Sequence, residues 1–193
     1  MIRLDVRRRR SILVAVLAVA VLAIAGYGAA LLATGRPDVP VTGLLASSPT
    51  SGADDEQWRP PADTDPDLQN GTNDTVERVW RRDGGPSVRE AVFRYGNPLA
   101  ARESYIFSAP RFNDHYDEAI PAKDAYRSPA ADRGAVVCGR GSPDRCDIWE
   151  YRAQYGQYLL RVTYYGYGDP IDTAHFVRYV ATIDGYVASR LGR

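Results

Sequence analysis

Chemistry needs particular side chains at particular spacings, and few stand out among these 193 residues. The densest polar cluster is Asn113-Asp114-His115-Tyr116-Asp117-Glu118. A histidine beside three carboxylates can ligate a divalent metal or act as an acid/base pair. The same residues suit a solvated loop or a short helical turn, and no second ligand group is visible at a distance. A serine nucleophile needs a base, and His115 and His175 are the only histidines. No nucleophile-elbow pattern surrounds any serine. His175 falls near the start of an expected helix, where a structural histidine is the ordinary case. Any two carboxylates can converge for glycoside hydrolysis, but nothing favours one pair. Gly139-Arg140-Gly141 lacks the lysine and following helix of a phosphate-binding loop. No metal, cofactor or catalytic constellation is therefore expected. The rival reading is a secreted or anchored hydrolase with acid/base carboxylates near His115.

Binding chemistry is better represented. Twelve of the 13 tyrosines lie beyond residue 75, and six of these fall between 151 and 167. Tyr164, Tyr165 and Tyr167 run into Gly166 and Gly168, and alternation along a strand cannot bury them all. Tyr and Arg are the types enriched in binding hot spots. Tyr164, Tyr165, Tyr167 and Arg140 are thus the candidate contacts for a ligand or partner, such as another envelope protein or a glycan. Tyrosine also simply suits a half-buried strand with a wet edge.

These residues must be positioned by strands. A two-residue loop at Tyr155-Gly156 sets Gln154 opposite Gln157. One face then carries Trp149, Tyr151 and Ala153 opposite Val162, Leu160 and Tyr158, while Glu150 faces Arg161 on the other. This predicts strands near 146–154 and 157–165. Ala135–Gly139 reads as a further strand, and residues 139–145 as a loop between Cys138 and Cys146. Outside a membrane the two cysteines are expected to pair and staple neighbouring strand ends. A seven-residue spacer does not suit an oxidoreductase dithiol.

Upstream, Val76–Arg82 and Ser87–Tyr95 read as strands joined through Asp83-Gly84-Gly85-Pro86. A helix is expected from Asn97-Pro98 to before Pro110. Another starts at Asp169-Pro170, with an apolar stripe of Phe176, Val180, Ile183, Val187 and Leu191. The expected fold is α+β: an antiparallel sheet of about five strands with two helices packed on one face.

Charge divides the chain further. Formal charge is zero overall, with 24 basic and 24 acidic side chains, which argues against a nucleic-acid partner. Residues 1–10 carry five arginines and one aspartate, whereas residues 37–74 carry eight acidic side chains against Arg59. Between them, Ser11–Gly35 is an uncharged run of 25 residues. As a helix it is roughly 37 Å long, enough to cross a hydrocarbon core of about 30 Å. Arg7–Arg10 place its N-terminus in the cytoplasm.

The expected organisation is a basic cytoplasmic segment at 1–10 and a transmembrane helix at 11–35. An acidic, Pro-rich linker follows at 36–74, in which Val41, Leu44, Leu45 and Trp58 are apolar exceptions that either pack on the domain or do nothing, and an extracytoplasmic domain at 75–193. The lipid bilayer is then a partner through residues 11–35, and the protein is a single-pass component of the cell membrane. Ala23-Ile24-Ala25 before Gly26 also fits signal-peptide cleavage, although the apolar run continues to Leu32. Arg9-Arg10-Ser11 loosely fits twin-arginine export.

Arg7–Arg10, the apolar span, the Pro/Asp tether and a small domain with one cysteine pair form a layout. It resembles that of the uncharacterised single-pass membrane proteins of actinobacteria. It is similar also to the small extracytoplasmic sensor domains of that phylum. The resemblance implies a membrane-anchored extracytoplasmic binding or accessory module. With only ten residues in the cytoplasm, any signal passes through a partner.

Overall fold

A computed structural model describes Val16, Val19 and residues 38–50, 58–59, 62–64 (backbone), 71–107, 120–122, 124–142 and 144–193. Residues 1–10 and most of 11–35 lie outside this set. Among the described residues no helix is long and apolar enough to cross a membrane. The chain divides into two units, 1–35 and 36–193, and the sheet belongs to the second.

Five strands of eight to eleven residues alternate side chains between two faces. They are β2 (Thr72–Arg81), β3 (Ser87–Tyr95), β5 (Arg133–Ser142), β6 (Arg145–Tyr155) and β7 (Tyr158–Tyr165). Two short edge strands, β1 (Ala62–Thr64) and β4 (Ile120–Pro121), complete a seven-stranded sheet in the order β1-β2-β3-β7-β6-β5-β4. Every pairing is antiparallel. The fold is therefore α+β, with α1 at Pro98–Phe107 and α2 at Thr173–Arg190.

The helices pack on opposite faces, not on one. Trp80, Val92, Trp149, Tyr151, Leu160 and Tyr164 face α2, whose Phe176 stacks on Trp149 at 5.4 Å. Ala91, Phe93, Tyr95 and Leu159 face the other way, against Ala101 of α1. β3 and β7 carry large apolar residues at both parities near one end, so that end needs cover on both sides.

The hairpin turn is Gly156-Gln157, with Gly156 at φ 59°. Glycine tolerates this left-handed geometry, which moves the loop one residue downstream. Tyr155 pairs with Tyr158, and Glu150 faces Thr163 rather than Arg161. The pairing shifts by two, an even number, so the expected faces survive. Helix α2 is capped by Asp172, which accepts from the His175 amide at 2.7 Å. It starts later than expected because Ile171 exchanges backbone hydrogen bonds with Cys146 and stays extended. Asn97 caps α1 through the Ala100 amide. Cys138 and Cys146 form a disulfide across β5 and β6, with Cα atoms 5.9 Å apart.

Part of the expected linker is built into the fold. Val41, Leu44, Leu45, Ala46 and Trp58 are buried in the α2-side core. Glu90, fully buried, accepts from the Ala46 amide at 2.8 Å, while Arg78 donates to the Ala46 carbonyl at 2.8 Å. Val39 exchanges two hydrogen bonds with the Tyr158 hydroxyl. Apolar burial and these ties hold the segment despite its proline-rich composition.

Candidate functional site

Register defines the face opposite α2. One row crosses it as Arg140, Ile148, Tyr165, Ser87 and Arg81, each paired with the next. The second row is Val137, Glu150, Thr163, Arg89 and Val79; the third is Ala135, Arg152, Arg161, Ala91 and Glu77. Arg140 joins this face only because a bulge between Cys138 and Gly141 shifts the parity of β5. Helix α1 covers the far end, over Phe93, Tyr95 and Leu159. Beyond it the face carries five arginines (81, 89, 140, 152 and 161) against Glu77 and Glu150, with Asp147 beside Arg140.

Arg152 pairs with Glu150. Glu77 is approached by two guanidinium groups, Arg89 at 3.8 Å and Arg161 at 4.0 Å. Arg89 also lies 4.9 Å over the Tyr165 ring, and Arg161 lies 5.1 Å over Phe93. Burial raises the Tyr165 phenol above its ordinary pKa, and the charges of Arg89 and Arg161 partly oppose this.

The next turn, Gly166-Tyr167-Gly168-Asp169, is over-determined. The Gly166 amide donates to the Asp147 carbonyl at 2.7 Å, and the Gly168 amide to Asp147 Oδ1 at 2.9 Å. The Asp169 amide closes on the Gly166 carbonyl, and the Tyr164 hydroxyl donates to the Asp169 carbonyl at 2.5 Å. A Cβ at residue 166 would stand 2.5 Å from Asp147 Oδ1, so only glycine fits. These ties hold Tyr167 at φ 52°, a strained region for a non-glycine residue, with its side chain 68 % exposed. Its ring stacks on Tyr165 at 6.1 Å.

Three of the four residues singled out by sequence thus converge: Tyr165, Tyr167 and, through Asp147 at 3.9 Å, Arg140. Tyr164 does not join them. It points into the α2-side core, is 1 % exposed and stacks on Tyr179. His115, Asp117 and Glu118 lie outside the described residues. Among the described residues no three His, Cys, Asp or Glu side chains come together to hold a metal ion.

Asp184 escaped the sequence reading. It lies on α2, 1 % exposed, and accepts from Tyr126, Ser128, Tyr151 and Tyr155. Its place beside Ile183 and Val180 on the apolar stripe was the available signal. Tyr126 and Ser128 also line an open cleft of about 650 Å³ between residues 122–132 and the 133–137 stretch of β5. Four hydroxyl donors on a buried carboxylate serve cohesion, since they replace the water it gives up.

No protein-family model matches the chain, and no curated protein is significantly similar to it.

Proposed function

We propose that this chain is a membrane-anchored binding or accessory module. In this reading its folded part stands outside the cell membrane and its contact surface is the Tyr167 turn. The uncharged run at 11–35 behind Arg7–Arg10 supports the anchor and its orientation. A disulfide suits an oxidising compartment. The carrying observation is Tyr167: a large ring in solvent, in strained backbone, on a turn fixed from four sides. Nothing in the core requires that ring, whereas a contact surface does. The chain meets the sheet at Val39 beside Tyr158, at one end of β7. Tyr167 follows its other end, eight residues or roughly 25 Å along the strand. The turn and the Val39 contact thus lie at opposite ends of β7.

The test has two parts. Intact masses of the membrane and soluble pools should show the full-length chain in the membrane; a soluble chain beginning at Gly26 contradicts the anchor. Native complexes captured from those membranes should be lost on Tyr167→Ala with melting temperature unchanged. Retention by the variant contradicts the contact surface.

A further inference from the structure

We infer that the half of this sheet face beyond α1 receives an acidic glycan. Its carboxylate or phosphate sits between Arg89 and Arg161, and a sugar ring lies against Tyr167. This rests on the binding-module reading and gives it a ligand class.

The face holds unspent donors. A guanidinium offers five N–H groups. Arg89 and Arg161 are diagonal neighbours across β3 and β7, and both lean toward Glu77, at 3.8 and 4.0 Å. Both distances are longer than a hydrogen bond. Among the described residues neither guanidinium makes one; Arg89 Nε is buried without a partner. Beside them Ser87, 2 % exposed, has a buried hydroxyl with no partner. Buried donors of this kind call for an acceptor, and an oxyanion satisfies forked N–H groups best.

Charge agrees, since among the described residues arginines outnumber carboxylates on this half of the face. Its exposed aromatic is Tyr167, separated from Arg89 only by the ring of Tyr165. Among the described residues the other exposed large apolar side chains of the sheet unit lie elsewhere: Leu99, Ile106 and Phe107 on α1, and Ile120 on β4. A protein partner favours an apolar centre. A face of forked cations, hydroxyls and one aromatic plate instead matches a polyhydroxylated ring that carries an anion.

The test is calorimetric titration of the purified full-length chain at low ionic strength. The probes are trigalacturonate, inorganic phosphate and neutral maltotriose. Trigalacturonate should bind saturably. Its affinity should fall about tenfold or more in an Arg89→Gln, Arg161→Gln double variant, and several-fold in Tyr167→Ala. Competition by phosphate shows that both oxyanions share one seat; phosphate binding without uronate binding leaves a free-anion seat and overturns the glycan. In the unmodified chain the Arg89 Nε–H NMR resonance should move on titration, which keeps the test free of variant folding. No saturable binding of either anion, or binding with that resonance fixed, overturns the inference. Maltotriose binding that needs Tyr167, with no anion binding, overturns the inference and leaves the module reading standing. Anion binding that needs the arginines but not Tyr167 keeps the oxyanion seat and contradicts the Tyr167 surface.

Discussion

The hydroxyl of Tyr151 donates to Oδ1 of Asp184 at 2.8 Å, and neither residue is more than 1 % exposed. The pair joins β6 to α2 through a charge that three further hydroxyls also hold. Removing the acceptor strands the buried Tyr151 and Tyr155 hydroxyls in the core and frees those of the half-buried Tyr126 and Ser128. Asp184→Ala is expected to cost on the order of 3 kcal/mol or more, and Tyr151→Phe about 1–2 kcal/mol. Urea denaturation of the two variants checks this; a loss below about 0.5 kcal/mol for Asp184→Ala contradicts the cage.

The same cage sets an alkaline limit. Burial is the main cause lifting Tyr126, Tyr151 and Tyr155 well above the ordinary phenol value of 10.0, and the charge of Asp184 adds to it in all three. A folded-state pKa above the unfolded one means that the folded state holds its protons longer. Stability from these groups is complete below pH 10 and is lost as pH rises beyond it. Phenolate absorbance should therefore include these tyrosines only as near-ultraviolet dichroism collapses. Their ionisation in an intact fold would contradict the assignment.

Residues 38–50 behave as core. Leu44 is fully buried, and Leu44→Ala is expected to destabilise by about 2–5 kcal/mol. Deleting residues 1–50 should leave a domain that no longer unfolds cooperatively. A true linker would be removable without loss, so an unchanged denaturation midpoint after that deletion overturns this placement.

Tyr167 is held against its conformational preference, so stability and binding should separate there. Tyr167→Gly relieves a left-handed residue and is expected to leave stability unchanged or raise it by up to about 1 kcal/mol while weakening trigalacturonate binding several-fold. Gly166→Ala forces its Cβ into Asp147 Oδ1 and the Asp169 carbonyl, and should lower both. A stable Gly166→Ala variant with full binding would show that the turn does not matter.

Much of the sheet was legible because alternation is a strong signal. Alternation puts Trp149, Tyr151 and Ala153 on one face, and they share it in the structure although the turn lies one residue further on. The bulge that brings Arg140 onto the Tyr165 face has no such pattern, because it depends on two strands at once. Opposite placement of the helices was hidden for a related reason. Phe93 and Leu159 read as ordinary strand residues, and only the register shows that they share a patch demanding α1. Val41 and Leu44 sit among prolines and serines, where composition points to a tether but leaves apolar exceptions free to pack on the domain, and burial follows the second alternative. Tyr164 and Tyr165 are adjacent, and which one faces solvent followed from register alone.

The most direct measurement places a photoreactive phenylalanine analogue at position 167, and separately at position 178 on the exposed side of α2, in cells that express the chain. Irradiation should give an adduct from position 167 in the membrane fraction and none from 178. No adduct at 167, or equal adducts at both positions, would contradict a binding module that acts through this turn.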